Sequence, residues 1–544
     1  MGEQDEVATL HAAIDATAGL RGHFWRALAR STPVDANEAA QAAAADADDL
    51  ARDRLAAGDA EGALRVLESA RGLALYAATE IRPVADHLAA AGKPDLARQW
   101  QAAAAVPDPH HLPAELRRNV LTTLLTRSPA AGLLGPATIA EIQSALAATD
   151  ADALVHLLPR HAIVVPAAGR ATHLPLPALT PASDHIERFL ATLALHNAIA
   201  TAPGRPPADI PDTDLTTALH DLCRWAWDAV VGPLLDHLMS TRFPGAAPLP
   251  LPALGGRPSR RHVPRIVLVA PGDLARVPWA AARRGDGAYA IELMAISQAV
   301  SARMLCRNAA RPATPPASTG LIVADPDTDG HARELPSARF EAYAISRTLL
   351  PQARLTGRRP DGTASPSGAG TLDQIRAWLA TSNPDAGGLL HLACTGFARP
   401  GGEAYALMAG GERLTATEIL ALRGRAQRRP LELVVLAGGR TGLSVTGYDE
   451  AFGLGTAFLA GGARSVLATR WTVPEAAAPA LLFMTHLLRQ SGRPVWSALR
   501  AAQLWMLDPG REVPPSMPAE LADAVGRTDP AKAIAWAAVT HWGH

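Results

Sequence analysis

Two stretches decide the fold: LLHLACTG, residues 389–396, and LELVVLAGGRTG, residues 431–442. Each is a continuous apolar run that ends abruptly in small residues. This is typical of a strand that is buried on both faces and followed by a loop at the sheet edge. In a parallel sheet, the loops after such strands meet at one edge. The sequence therefore predicts that residues 394–396 and 438–442 lie together.

Similar apolar runs recur from residue 263 onward, with helical patterns between them. The predicted strands are Ile266–Ala270, Gly320–Ala324, Gly388–Ala393, Leu431–Leu436 and Arg464–Thr469. The predicted helices cover 337–349, 371–380, 415–422, 449–461, 474–490 and 494–507. Buried strands that alternate with helices predict an α/β domain over 263–544, with a mainly parallel sheet between helical layers.

Residues 1–155 carry a different, all-helical pattern. Alanine-rich stretches place apolar residues three and four positions apart, as in Ala63, Leu64 and Leu67. Consecutive helical hairpins indicate a degenerate TPR-like region, although no repeat of about 34 residues emerges. A plain helical bundle is the alternative that the pattern leaves open.

Residues 156–262 are predicted to connect these two regions with a β-hairpin and helices. The predicted elements are short strands at His161–Val165 and His173–Leu176 and helices at 184–200 and 213–240. Gly169 marks the hairpin turn. The Pro-, Gly- and Arg-rich stretch 242–262 is typical of an exposed connector.

Bulk composition excludes several function classes. The chain has 544 residues, of which 48% are hydrophobic and 19% charged, and a net charge of −1. This length predicts two to four domains. The near-zero charge provides no overall field for nucleic acid or for an anionic membrane.

Cysteine usage and the N-terminus predict a cytoplasmic protein. Cys223, Cys306 and Cys394 are odd in number and far apart, so they form neither a disulfide framework nor a metal-ligand spacing. The first residues lack the basic-then-apolar pattern of a signal peptide, and no apolar run reaches the roughly 18–20 residues of a membrane span. No phosphate loop or nucleotide fingerprint is present, so no cofactor is predicted.

Several short segments resemble, in order, the CHAT domain family, a group related to caspases, separases and gingipains. They are LVAPGDLARVPW at 268–279, LPSARFEA at 335–342, LTATEI at 414–419, and GLGTAFLAGGARSV at 453–466 followed by Trp471. The resemblance covers about 160–544. It implies a caspase-like α/β/α sandwich of the long, bacterial (actinobacterial) type.

The same resemblance implies that both catalytic positions are replaced. Active members pair a His before a Gly with a Cys before x-Thr-Gly, because a nearby imidazole lets the thiolate form near neutral pH. Here Thr395 stands at the histidine position before Gly396, and Gly439 stands at the cysteine position. Glycine has no side chain that attacks a peptide, and threonine is no base at neutral pH.

Three neighbouring residues are candidates for a displaced active site. Cys394 adjoins the histidine position, but a free cysteine at a strand end is commonly a small buried apolar residue. His391 lies three residues before Cys394, and side chains at i and i+3 of a strand point to opposite faces. Ser444 supplies a hydroxyl in the second loop, without an obvious base.

The candidate cleft comprises Gly396, Gly438, Arg440, Thr441 and Asp449. Gly438 and Gly439 either keep a backbone cradle open for a peptide or small anion, or form a loop without function. Asp449 either selects a basic side chain, as acidic residues near the site do in this superfamily, or favours the start of a helix.

We therefore expect a catalytically inactive CHAT-domain protein, a pseudopeptidase. The resemblance implies a protein-binding or regulatory module in a bacterial conflict or cell-death system. The expected partner is a protein or peptide, such as an active CHAT peptidase or a second copy of the chain. The alternatives are an active cysteine- or serine-type hydrolase that uses Cys394 or Ser444, and a scaffold without cleft function.

Overall fold

A computed structural model describes the chain over 33–71, 88–104, 136–180, 183–200, 213–242, 263–312, 316–397, 404–423, 429–438, 453–471, 477–527, 529 and 532–544, with isolated positions between 85 and 123. Within these ranges the main element is an 11-stranded sheet, and a 3-stranded sheet lies beside it. The predicted α/β architecture with a mainly parallel sheet and an N-terminal helical region is confirmed.

The strands are numbered in chain order. They are β1 Ala153–Leu158, β2 His161–Pro166, β3 Thr172–Pro175, β4 Arg265–Val269, β5 Ala295–Gln298, β6 Gly320–Ala324, β7 Arg354–Gly357, β8 Leu389–Ala393, β9 Gly396–Phe397, β10 Tyr405–Leu407, β11 Arg413–Thr415, β12 Leu431–Leu436, β13 Ala463–Thr469 and β14 Val539–Gly543.

The helices are numbered in the same way. They are α1 Pro33–Ala56, α2 Ala60–Ala70, α3 Pro94–Ala104, α4 Ile139–Ala148, α5 Asp184–Ala200, α6 Thr213–Ala226, α7 Gly232–Arg242, α8 Ala290–Leu293, α9 Ala302–Ala309, α10 Pro336–Ala344, α11 Leu372–Ala380, α12 Ala416–Arg423, α13 Leu454–Ala460, α14 Ala478–Gln490, α15 Val495–Leu507, α16 Ala519–Arg527 and α17 Ala533–Trp536. The helix predicted over 337–349 is α-helical only to Ala344 and continues as a π-helical turn, Ile345–Leu349.

Apart from β2, which pairs antiparallel with β1 and with β3, the large sheet consists of two parallel halves that run in opposite directions. Its order is β3-β2-β1-β4-β5-β14-β13-β12-β8-β6-β7. Strands β1, β4, β5 and β14 are parallel to one another, as are β13, β12, β8, β6 and β7, whereas β14 and β13 pair antiparallel. The carboxyl ends of the second half therefore lie at one edge of the sheet, apart from those of the first half.

Apolar layers cover both faces of the sheet. One continuous core lies under α5–α7, α10 and α14–α17 and includes Val155, Leu268, Ile322 and Val435. On the opposite face, α1, α2, α4 and α9 pack over the first half, and α11, α12 and α13 pack over the second half. The N-terminal hairpin α1–α2 thus supplies part of a helical layer on the sheet. The predicted hairpin at 161–176 forms β2 and β3 and continues the same sheet through β1.

Candidate functional site

The loops that follow β8 and β12 meet at the carboxyl edge of the second half-sheet. The two strands are parallel neighbours, with Leu436 opposite Leu392. Beyond the strands, the Gly396 amide donates a hydrogen bond of 3.1 Å to the carbonyl oxygen of Gly438. The parallel topology therefore brings together two segments that are distant in sequence, as the sequence predicts.

Backbone fills the space between the two strand ends. A Cβ atom at Gly438 would overlap the carbonyl oxygen of Cys394. Position 438 therefore requires glycine for close approach of the two chains rather than for loop flexibility. Where the two strands end, the backbones of the two loops are therefore in direct contact.

Thr395, the residue predicted to replace the catalytic histidine, is partly exposed. Its carbonyl oxygen accepts a hydrogen bond of 2.9 Å from the amide of Leu407. The chain then enters β9 of the small sheet, where Phe397 stacks on Tyr405 with ring centroids 5.3 Å apart. Residue 395 is thus held at the sheet edge, and its side chain is a hydroxyl, which does not accept a proton near neutral pH.

Cys394 is part of the apolar core on the α11–α13 face and is 0% exposed. Burial, reinforced by the charge of Asp325, raises the pKa of its thiol to about 12. A nucleophilic cysteine requires the opposite environment, one that is accessible and electropositive. In this structure Cys394 acts as a small apolar side chain.

His391 lies on the opposite face of β8 from Cys394. Its strand neighbours Leu389 and Ala393 belong to the α10–α14 core, whereas Leu390 and Leu392 share the core of Cys394. His391 therefore does not form a dyad with Cys394, because the sheet separates the two side chains.

His391 instead belongs to a buried polar chain. Its Nε2 is 2.8 Å from Glu341 Oε1, and its Nδ1 is 3.2 Å from Nε2 of His486. Burial, together with the nearby His391 and Arg489, holds the pKa of His486 well below its usual range. This arrangement anchors α10 and α14 to the sheet beneath the site.

A second network at the same edge was missed by the sequence interpretation. Asp325 follows β6, and its amide donates a 2.7 Å hydrogen bond to the Ala393 carbonyl. Its carboxylate accepts from Arg339 at 2.7 Å and from Arg358 at 2.8 Å. Both guanidinium groups also reach Glu334, at 2.6 and 2.8 Å. Arg339 lies within the LPSARFEA segment, so its position in a motif was the available signal.

The remaining site predictions fall outside the described residues. They are Gly439, Arg440, Thr441, Ser444 and Asp449. Within the described part of the chain, no group of three or more His, Cys, Asp or Glu side chains is placed to hold a metal ion. Among the described helices, none combines the length and apolar character that crossing a membrane requires.

Residues 220–544, more than half of the chain, match the family model of the CHAT domain. The chain belongs to the CHAT domain family. The match begins within the predicted connecting region, residues 156–262, and includes every strand from β4 onward. No curated protein matches this CHAT protein by sequence.

Solved structures similar to this CHAT protein include two crystal structures of the Saccharomyces cerevisiae separase–securin complex. One matched chain has 11% sequence identity and a TM-score of 0.48, covering 89% of this chain and 36% of that chain. The other has 12% identity and a TM-score of 0.45, covering 90% and 37%. The Arg-specific cysteine proteinase gingipain R has 10% identity and a TM-score of 0.32, covering 62% and 69%. The CHAT protein thus spans just over a third of the separase-complex chains.

Proposed function

We propose that this CHAT protein is a pseudopeptidase that binds a protein or peptide partner without cleaving it. The observation that carries the proposal is the replacement of both dyad positions, by Thr395 and Gly439. Without an imidazole and a thiol at these two positions, the site has neither a general base nor a nucleophile.

The surroundings of the dyad positions support the same function. Cys394, the cysteine nearest the vacant positions, is fully buried, and its thiol has a pKa of about 12. Cys223 lies in the core with α6, and Cys306 lies on α9 of the other half. Neither replaces the missing sulfur at the carboxyl edge of β12.

Peptidase assays on the purified full chain test the absence of catalysis. A fluorogenic peptide mixture and a thiol-directed active-site probe are expected to give neither turnover nor labelling. The matched comparison is a double variant, Thr395→His with Gly439→Cys, assayed beside each single variant. Turnover by the wild type that Cys394→Ala or Ser444→Ala abolishes would establish an active hydrolase instead.

Affinity capture from the native host tests the binding function. We expect a stoichiometric protein partner, such as an active CHAT peptidase or, in sedimentation experiments, a second copy of the chain. A bacterial conflict or cell-death setting predicts that this partner is encoded beside the chain. If the chain neither associates with a protein nor binds a peptide library, the binding proposal is wrong.

A further inference from the structure

A buried polar cluster lies where the helical hairpin α1–α2 docks on the sheet, far from the vacant dyad. Glu68 of α2 is 4% exposed, and His156 of β1 is 0% exposed. Arg71, which follows α2, is 2% exposed. The surrounding contacts are apolar and join α1 and α2 to β1, β2 and β4. Polar groups at such a position are costly unless they are paired.

The Glu68 carboxyl group ties the hairpin to α9. One oxygen accepts from the amide of Ala302 at 2.9 Å, and the other accepts from the amide of Arg303 at 3.1 Å. These are the first amides of α9, which have no partners within the helix. The carboxyl group therefore caps a helix that is distant in sequence, and it lies in the interface only while the hairpin is docked.

The ring of His156 faces this carboxyl group through Nε2, a nitrogen that carries a lone pair and no hydrogen. Its Nδ1 lies 3.3 Å from the Leu157 carbonyl, which only accepts, so Nδ1 carries the hydrogen. Burial lowers the pKa of His156 to about 3, so the ring is neutral and its Nε2 is an acceptor. That Nε2 is 3.6 Å from Glu68 Oε1 and has no hydrogen-bond partner in the described structure.

Two facing acceptors in a dry interior repel each other unless one of them carries a proton. Burial raises the pKa of Glu68 above its ordinary value, despite the two amides and the charges of Arg71 and Arg303. Arg71 is itself 3.6 Å from Asp48 of α1, which offsets its attraction for Glu68. Cys306 is also close to Glu68, and its thiol is neutral because burial raises its pKa to about 12.

We propose that one proton, carried by Glu68 and directed at Nε2 of His156, accompanies docking of the α1–α2 hairpin onto the sheet. The docked state is a neutral Glu68–His156 pair, and the undocked state has an ionised, hydrated Glu68. The hairpin thus acts as a pH-sensitive latch that covers or exposes one face of the first half-sheet.

The direction of the pH dependence follows from the proton balance. Well above about pH 6.5, the ordinary pKa of histidine, His156 is neutral in both states, so only Glu68 changes its protonation on undocking. A carboxyl group whose pKa is raised in the docked state stabilises docking at low pH, and this stabilisation is lost as the pH rises through the raised pKa. One proton changes the docking equilibrium by at most about tenfold per pH unit.

Hydrogen–deuterium exchange of the full chain, corrected for intrinsic rates and followed from about pH 5 to about pH 9, tests the latch. Relative to Glu68→Gln, which keeps His156, protection of 33–70 in the wild type is expected to fall as the pH rises while that of β12 and β13 persists. Glu68→Gln imitates the protonated acid toward His156: its amide donates to Nε2 and its carbonyl accepts from the amide of Arg303, while the amide of Ala302 loses its acceptor. This variant is expected to remain protected at every pH, and Glu68→Ala is expected to be unprotected throughout.

Glu61→Gln, an exposed change on the same helix, is the matched control and is expected to behave like the wild type. Alkylation of Cys306, which packs against the same apolar cluster, is a second readout at fixed pH. It is expected to be faster in Glu68→Ala than in Glu68→Gln. The proposal is overturned if protection in the wild type does not change with pH, or if Glu68→Gln keeps the wild-type pH dependence or loses protection as Glu68→Ala does.

Discussion

The amide of Gly396 and the carbonyl oxygen of Gly438 are joined by a hydrogen bond of 3.1 Å across the ends of β8 and β12. The bond joins the segments that follow the two strands and holds their backbones together at the carboxyl edge of the sheet. In the proposed pseudopeptidase, these segments carry Thr395 and Gly439 at the positions of the dyad.

Replacing Gly438 by alanine should destabilise the fold. The new Cβ would overlap the Cys394 carbonyl, so two buried strand ends would have to separate. We expect a loss of about 3 kcal/mol in the free energy of unfolding, measured by urea titration. Gly285→Ala is the matched control, because a Cβ there meets no atom within 4 Å. Equal stability of the two variants would mean that the loops are not in contact.

Thiol reactivity should report the burial of the cysteines. Cys223 and Cys394 are 1% and 0% exposed, and burial raises the pKa of each thiol to about 12. We expect iodoacetamide to modify neither residue in the folded protein at neutral pH, and both after denaturation, with sites assigned by peptide mass. Cys306, which is partly exposed, should react first. Selective modification of Cys394 would identify it as an activated nucleophile.

Removing the carboxylate of Glu341 should destabilise the core beneath β8. Glu341→Ala would leave Nε2 of the fully buried His391 without its 2.8 Å partner. We expect a cost of about 3 kcal/mol in denaturant unfolding, and a smaller cost for Glu341→Gln, whose carbonyl still accepts. Glu187→Ala, at an exposed site on α5, is the control. A similar cost at both sites would show that the Glu341–His391 contact is unimportant.

Acid should destabilise the protein from about pH 6.5 downward. Burial lowers the pKa of His156 to about 3 and of His544 to about 4, and holds those of His486 and His541 well below the usual range. The unfolded chain therefore binds more protons than the folded chain as the pH falls, and stability declines by up to about 1.4 kcal/mol per pH unit for each such histidine.

Melting temperatures from about pH 7.5 to about pH 5 measure this decline. His486→Gln and His541→Gln should each make it shallower, because each removes one proton acceptor from the unfolded chain. His220→Gln, at an exposed position, is the matched control variant. A slope that none of these variants alters would assign the acid effect to other groups.

Much of the second half-sheet could be predicted because its strands are long apolar runs. The predicted strands Gly320–Ala324 and Leu431–Leu436 coincide with β6 and β12. Strands β5 and β7 were missed, since AISQ and RLTG are too short and too polar to be distinguished from loops. Strand β14 was missed because its place between β5 and β13 depends on pairing across 70 or more residues.

The sequence alone determined the alternation of strands and helices and the family resemblance, and it led to the prediction that Thr395 and Gly439 replace the dyad. These features are local, because apolar periodicity and residue identity do not depend on distant contacts. The tertiary structure alone decided that Cys394 and His391 lie on opposite faces of the sheet, and that Glu341, His486 and the Asp325 network lie beneath or beside the site. It also decided that Glu68 of the helical hairpin faces His156 of β1. These relationships arise from packing between segments distant in the chain, where burial changes the chemistry of each side chain.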